Sequence, residues 1–231
     1  MGVISFFRNS VLTLLDFLYP PACISCRSPH LNGQRHVCPS CWQQIDRIHA
    51  EHRLYTETKA KLLESGVVGE VVSLFVFEKE GVFQHIAHAL KYQGCESLGL
   101  ELGRQLGQAI LDTGLEADAV IPVPLHKRKL RERGYNQAEL LALGVSSATS
   151  IPTESKAVRR KKYTQTQTKL TIEEREKNME DAFEVVGAVD GRRLILVDDV
   201  ITTGATITSC ARELKSAGAS GIIAASAALA E

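Results

Sequence analysis

A chain of 231 residues, 44% apolar and with 27 basic against 27 acidic residues, suits one large domain plus a small one and has the apolar content of an ordinary globular protein. No stretch reaches the roughly eighteen apolar residues of a membrane span, so no integral membrane segment is expected. The zero net charge hides an asymmetry. Between Pro124 and Leu170 stand eleven Lys/Arg against three acids, in two clusters that read as an anion-facing surface rather than a plain solvated face.

Residues 3–19 are apolar, but Arg8 and Asp16 interrupt them, no small-residue cleavage site follows, and Pro20-Pro21 ends them. Polar positions at Ser5, Arg8/Asn9, Thr13 and Asp16 recur every three or four residues, which predicts an amphipathic helix over residues 1–20 packed on the protein or a partner. Next come Cys23-x-x-Cys26 and, after eleven intervening residues, Cys38-x-x-Cys41. Two such knuckles offer four thiolates to one tetrahedral ion. A chain without an export signal is expected in the cytoplasm, where disulfides do not persist, so structural zinc is expected on Cys23, Cys26, Cys38 and Cys41. His30 and His36 lie between the knuckles and are not needed. A segment this short needs a metal staple. The ribbon and a weakly patterned linker fill residues 21–66, with His49 and His52 expected in solvent.

The remaining chain, 67–231, alternates strands and helices, which predicts an α/β domain with a parallel sheet flanked by helices. Val67 to Phe77 reads as a strand, Gly81 to Tyr92 as a helix ending in Lys91, and Glu96 to Leu111 as another helix. Cys95 and Cys210 are expected as small buried apolar residues. The strand Ala117–Pro124 runs into Lys127-Arg128-Lys129-Leu130-Arg131, a basic loop before Gly134 and a further helix, and hence a candidate anion site. Residues 159–170 are polar, basic and aperiodic, which predicts a mobile loop; a strand opens at Ala182-Phe183.

Leu194-Ile195-Leu196-Val197 is a buried-strand pattern that delivers Asp198-Asp199 to the strand's end, followed by Thr202-Thr203-Gly204-Ala205-Thr206 and a helix from Ile207. A helix N-terminus with glycine and three hydroxyls suits a phosphate. The two acids would repel phosphate and suit vicinal hydroxyls or a bridging metal. Together they describe a sugar phosphate. A last strand runs from Gly221 to Ala228.

This stretch resembles the 5-phosphoribosyl diphosphate (PRPP) signature of type I phosphoribosyltransferases. With the zinc knuckles, Pro122-Val-Pro-Leu-His126, Arg133-Gly134-Tyr135-Asn136-Gln137, and Arg159 to Asn178, nearly the whole chain resembles the ComF family of phosphoribosyltransferase-like proteins, some needed for DNA uptake in competence. The resemblance implies a type I phosphoribosyltransferase fold, PRPP and Mg²⁺ as ligands, and no particular acceptor. It assigns Asp198 and Asp199 to the ribose hydroxyls, and Thr202, Thr203, Gly204, Ala205 and Thr206 to the 5′-phosphate. Lys127, Arg128 and Lys91 go to the pyrophosphate. Arg159, Lys161, Thr164, Gln167, Arg175 and Asn178 go to a closing loop. A non-catalytic alternative is an adaptor that senses PRPP and binds single-stranded DNA or a DNA-translocation ATPase, for which Trp42, Tyr92, Tyr135 and Tyr163 are the candidate stacking rings.

Overall fold

The structure, a computed structural model, describes residues 22–29, 36–161 and 182–231. The helix expected over residues 1–20, His30, and the closing-loop positions Tyr163, Thr164, Gln167, Arg175 and Asn178 lie outside them. In chain order the elements are α1 (Pro39–Gln43), α2 (Arg53–Glu64), β1 (Glu70–Phe77), α3 (Val82–Tyr92), α4 (Glu96–Asp112), β2 (Ala119–Pro122), α5 (Lys127–Arg133), α6 (Gln137–Thr149), β3 (Val158–Arg160), β4 (Phe183–Val185), β5 (Arg193–Ile201), α7 (Ala205–Ser216) and β6 (Gly221–Ala230). Among the described residues no helix is long and apolar enough to cross a membrane.

Four strands form a parallel sheet in the order β1-β6-β5-β2. Helices cover both faces, so the strands read as apolar runs rather than as alternating patterns. Leu194, Ile195, Leu196 and Val197 are all fully buried. Their alternation divides the core. Ile195 and Val197 join Ile86, Leu102 and Leu141 of α3, α4 and α6, while Leu194 and Leu196 join Leu62, Cys210 and Leu214 of α2 and α7. β3 and β4 form a separate antiparallel pair.

On the first face, α4 and α6 approach closely because Gly99, Gly103 and Gly107 recur every fourth residue and meet Leu140, Gly144 and Ala148. A Cβ at Gly103 would collide with the Leu141 carbonyl oxygen, and one at Gly144 would stand 2.5 Å from the Leu100 carbonyl oxygen.

The cysteine segment docks on the same face. Cys23, Val37, Cys41 and Ile45 belong to the α3–α4–α6 core, and Trp42 stacks on Phe75 at 5.8 Å. The chain leaving it runs antiparallel along the outer edge of β1: Ile48 N–H donates to the Leu74 carbonyl and Val76 N–H to the Asp46 carbonyl, both at 2.9 Å.

Residues 46–66 are therefore not a plain linker. Residues 53–64 form α2, whose buried Leu54, Thr58 and Leu62 fall every fourth residue. Three buried side chains in an otherwise polar dozen make too thin a stripe to stand out. His49 is exposed as expected, but His52 is half-buried, with Nε2 3.2 Å from Asp46 Oδ2.

Candidate functional site

β5 delivers its acids to the carboxyl end of the sheet, where ligands of open α/β folds bind. Asp199, in phase with Ile195 and Val197, turns toward α3, and its Oδ2 lies 2.7 Å from Lys91 Nζ. Asp198, in phase with Leu194 and Leu196, belongs to the α7 side, and its Oδ1 accepts the Asp199 N–H at 2.8 Å. Burial, reinforced by the Asp199 charge, pushes the Asp198 carboxyl well above its usual range. Burial also works against ionisation of Asp199, but the adjacent Lys91 ammonium outweighs it and holds this carboxyl below its usual range. The two neighbouring carboxyls are thus driven in opposite directions, and Asp199 is the one paired with a cation.

Past the acids the chain turns through Gly204, whose φ of +79° needs glycine. A Cβ there would also stand 2.8 Å from Leu62 Cδ2, so α2 forms the floor of the turn. Gly204 is the N-cap of α7 and contributes no side-chain cap. The first N–H groups of α7, with Thr202, Thr203, Gly204, Ala205 and Thr206, therefore line a small recess beside Asp198.

The recess opens beside a cleft of about 160 Å³ lined by Asp198, Asp199 and Thr206 together with Lys91, Lys129, Arg133 and Arg160. Burial, then the charges of Arg133, Arg160 and Lys91, lowers the pKa of half-buried Lys129. Four crowded cations suit a polyanion.

Lys91, Asp198, Asp199 and Thr206, all singled out in the sequence, come together in this cleft. Four others do not. Lys127 and Arg128 are exposed on the outer side of α5, where Arg128 pairs with Glu132 at 3.0 Å. The expected basic loop is a helix, capped by His126 Nδ1, which accepts the Arg128 N–H, and ended by Gly134 at φ +83°. Helical spacing then presents Lys129 and Arg133, four apart, to the cleft. Arg159 and Lys161 lie on the outer face of β3 beside Glu184, whereas Arg160, one residue away, enters the cleft over the Phe183 ring. Period-2 alternation separates the two sets, and only the register of β3, invisible in a three-residue strand, would have told them apart.

The Arg133–Gln137 block bolts the cleft together. Tyr135 OH donates to the Leu90 carbonyl at 2.6 Å, beside Lys91. Asn136 caps α6 through the Ala138 N–H and donates to the Val123 carbonyl at the end of β2. Arg133 donates to buried Gln137 at 2.8 Å.

A second site lies in the cysteine segment. The four Sγ atoms of Cys23, Cys26, Cys38 and Cys41 lie within 4.8 Å of one another, with Cys26 and Cys38 3.7 Å apart. Tetrahedral zinc with arms of about 2.3 Å needs sulfurs about 3.8 Å apart, so the cluster fits structural zinc. Burial pushes the Cys41 thiol up to about 12, while a Ser28 hydrogen bond brings Cys26 down to about 6. Holding the buried Cys41 as a thiolate beside Cys26 calls for a cation between them. His36 stands outside this four-sulfur group, and its Nε2 lies 2.6 Å from Ser97 Oγ on α4.

Comparison with known proteins agrees with this two-part anatomy. A double zinc ribbon domain matches residues 14–53, and a phosphoribosyl transferase domain matches residues 137–230. The Haemophilus influenzae protein named Competence protein F is 40% identical over 210 residues, covering 85% of this chain and 91% of that one. The Bacillus subtilis Competence protein ComFC is 26% identical over 216 residues, covering 92% and 86%. The Escherichia coli K12 protein named DNA utilization protein YhgH is 34% identical over 142 residues, covering 59% of this chain and only 63% of that one. With its zinc ribbon docked on a phosphoribosyltransferase-type parallel sheet, the chain belongs to the ComF family.

Proposed function

We propose that the cleft binds PRPP and that the protein transfers the 5-phosphoribosyl group to an amine, a base or a nucleic-acid end. The observation that carries this reading is the union, in one cleft, of an acid pair, a phosphate-type helix turn and four cations. Asp198 and Asp199 take the ribose 2′- and 3′-hydroxyls, and the Thr202–Thr206 turn takes the 5′-phosphate. Lys91, Lys129, Arg133 and Arg160 receive the diphosphate. As the bond from C1 to the diphosphate breaks and the acceptor bonds to C1, the acceptor's proton passes to solvent. The four cations stabilise the negative charge gathering on the leaving group, so positioning and electrostatics supply most of the catalysis. Mg²⁺ held by the acid pair and the substrate's oxygens would add further neutralisation.

The test is calorimetric titration of the zinc-loaded chain with PRPP, with and without Mg²⁺, followed by pyrophosphate release against a panel of amines, bases and oligonucleotides. Saturable, Mg²⁺-dependent binding that vanishes in the Asp198→Asn/Asp199→Asn double variant supports the site. Binding retained in that variant overturns it. The names of the relatives support a role in DNA uptake or utilisation, and we propose the cytoplasm as its compartment. A second reading, a PRPP-sensing adaptor for a DNA-translocation ATPase, draws on the Lys91–Asp199 pair, which engages one acid, and on a cleft lined by no histidine among the described residues. Binding without pyrophosphate release for any acceptor would favour it.

A further inference from the structure

Tyr92 ends α3 with 65% of its surface exposed, and it is the one aromatic among the large apolar side chains left exposed by the described residues. The ring is nonetheless held. The His88 ring, one turn back, lies 5.0 Å away at 48°, and the Arg133 guanidinium lies 5.5 Å from the ring centre. Arg133 also lines the cleft, and Lys91, which precedes Tyr92, pairs with Asp199. The ring is thus held next to the cleft, with one of its cations, Arg133, against the ring and another, Lys91, adjoining in the chain. Trp42 is partly buried and stacked on Phe75, and Tyr135 is partly buried, so neither is as open as Tyr92.

We infer that Tyr92 is a stacking platform for a base of a single-stranded nucleic acid whose phosphates are drawn to the cleft's cations. Every base has a π-face that stacks on a ring without sequence preference, and a duplex hides those faces. The cations beside the ring, Arg133 and Lys91 with Lys129 and Arg160 deeper in the cleft, can take successive phosphates, which favours a strand over a lone nucleotide. The flanking cations favour a polyanion over an apolar peptide. This deepens the acceptor side of the proposed transferase and rests on that reading only for the placement of the cleft.

The test is fluorescence anisotropy of the zinc-loaded full chain with a labelled oligothymidylate of about 12 nucleotides and with an abasic strand of equal length. Tyr92→Ala should bind the oligothymidylate about tenfold or more weakly and the abasic strand as wild type does, and Tyr92→Phe should bind both as wild type does. Unchanged oligothymidylate binding in Tyr92→Ala, an equal loss on both strands, or competition by thymidine 5′-monophosphate as effective as by the strand overturns the inference. Mg²⁺–PRPP titration of Tyr92→Ala separates the two readings. Wild-type PRPP affinity with weakened strand binding supports the platform. If wild type itself fails to bind PRPP, the transferase falls and the base-dependent strand result still decides the platform.

Discussion

Asp198 and Asp199 are chain neighbours that the strand turns to opposite faces, and burial treats them in opposite ways. The folded Asp198 holds its proton more tightly than the unfolded chain does. Its contribution to stability is therefore present at low pH and is lost as pH rises past about 4 through the raised folded value. Asp199 does the reverse: its paired carboxylate stabilises above about pH 4, and that contribution is lost as pH falls through its depressed folded value. Asp198→Asn fixes the neutral form and keeps the acceptor for the Asp199 N–H. It should raise the neutral-pH melting temperature by about 2–6 °C, a gain of about 1–2 kcal/mol that shrinks toward pH 4, while abolishing PRPP binding. Thermal scans from about pH 4 to 8 check the sign, and a destabilised variant at pH 7 would contradict it. At this scale the acids, the Thr-Gly turn and Lys91, which meet in the cleft and its recess, were readable because contiguous chemistry is legible in one dimension. Lys129 was readable only within a basic run, and Arg133 and Arg160 were not singled out, because selection from such runs depends on helical phase and strand register.

Elements with long, consistent periodicity were readable: β5 as a four-residue apolar run, and α3, α4 and α7 as amphipathic stretches with ends close to those observed. Two were not. α2 shows only three buried positions, and α5 hides behind a histidine cap and a run of charges. The tight α4–α6 seam was legible in principle, since glycines at 99, 103 and 107 repeat every fourth residue, but in a soluble chain such glycines read as weak helix formers. Gly103→Ala should gain about 1 kcal/mol in helix propensity yet lose about 1–3 kcal/mol net, because the colliding atoms are backbone. A lower urea midpoint with unchanged slope is the expected result. Tyr135→Phe leaves the packing intact and removes the hydroxyl that holds the Leu90 carbonyl, at a cost of about 1 kcal/mol. Because Leu90 adjoins Lys91, PRPP affinity should fall several-fold in calorimetry; a stability loss with unchanged affinity would make the bolt purely structural.

For the molecule as a whole, composition and motif order foretold a small metal-stapled part ahead of an α/β part, but not their union. Cys23, Val37, Cys41 and Ile45 pack into the core that also holds Leu90 and Leu102, and Ser25 Oγ lies 3.1 Å from His85 Nδ1 on α3, the helix that carries Lys91. No pattern along the chain encodes a contact between residues so far apart. Stripping the metal with a chelator should therefore lower the melting temperature of the entire chain by about 10 °C in one cooperative transition, rather than melt a ribbon alone. It should weaken PRPP binding as well. Scanning calorimetry that resolves two separate transitions would contradict this coupling. The staple has one more effect, through the three residues it anchors along β1. That strand, Glu70-Val-Val-Ser-Leu-Phe-Val-Phe77, is a low-charge, β-favouring segment at the sheet's margin, and Asp46 and Ile48 occupy its outer hydrogen-bonding groups. When the cysteines let go, those groups become a template for the same strand of another molecule. The metal-free chain is expected to be lost to fibrillar aggregation before it is lost to simple unfolding, so the ribbon protects solubility as much as it supports the fold.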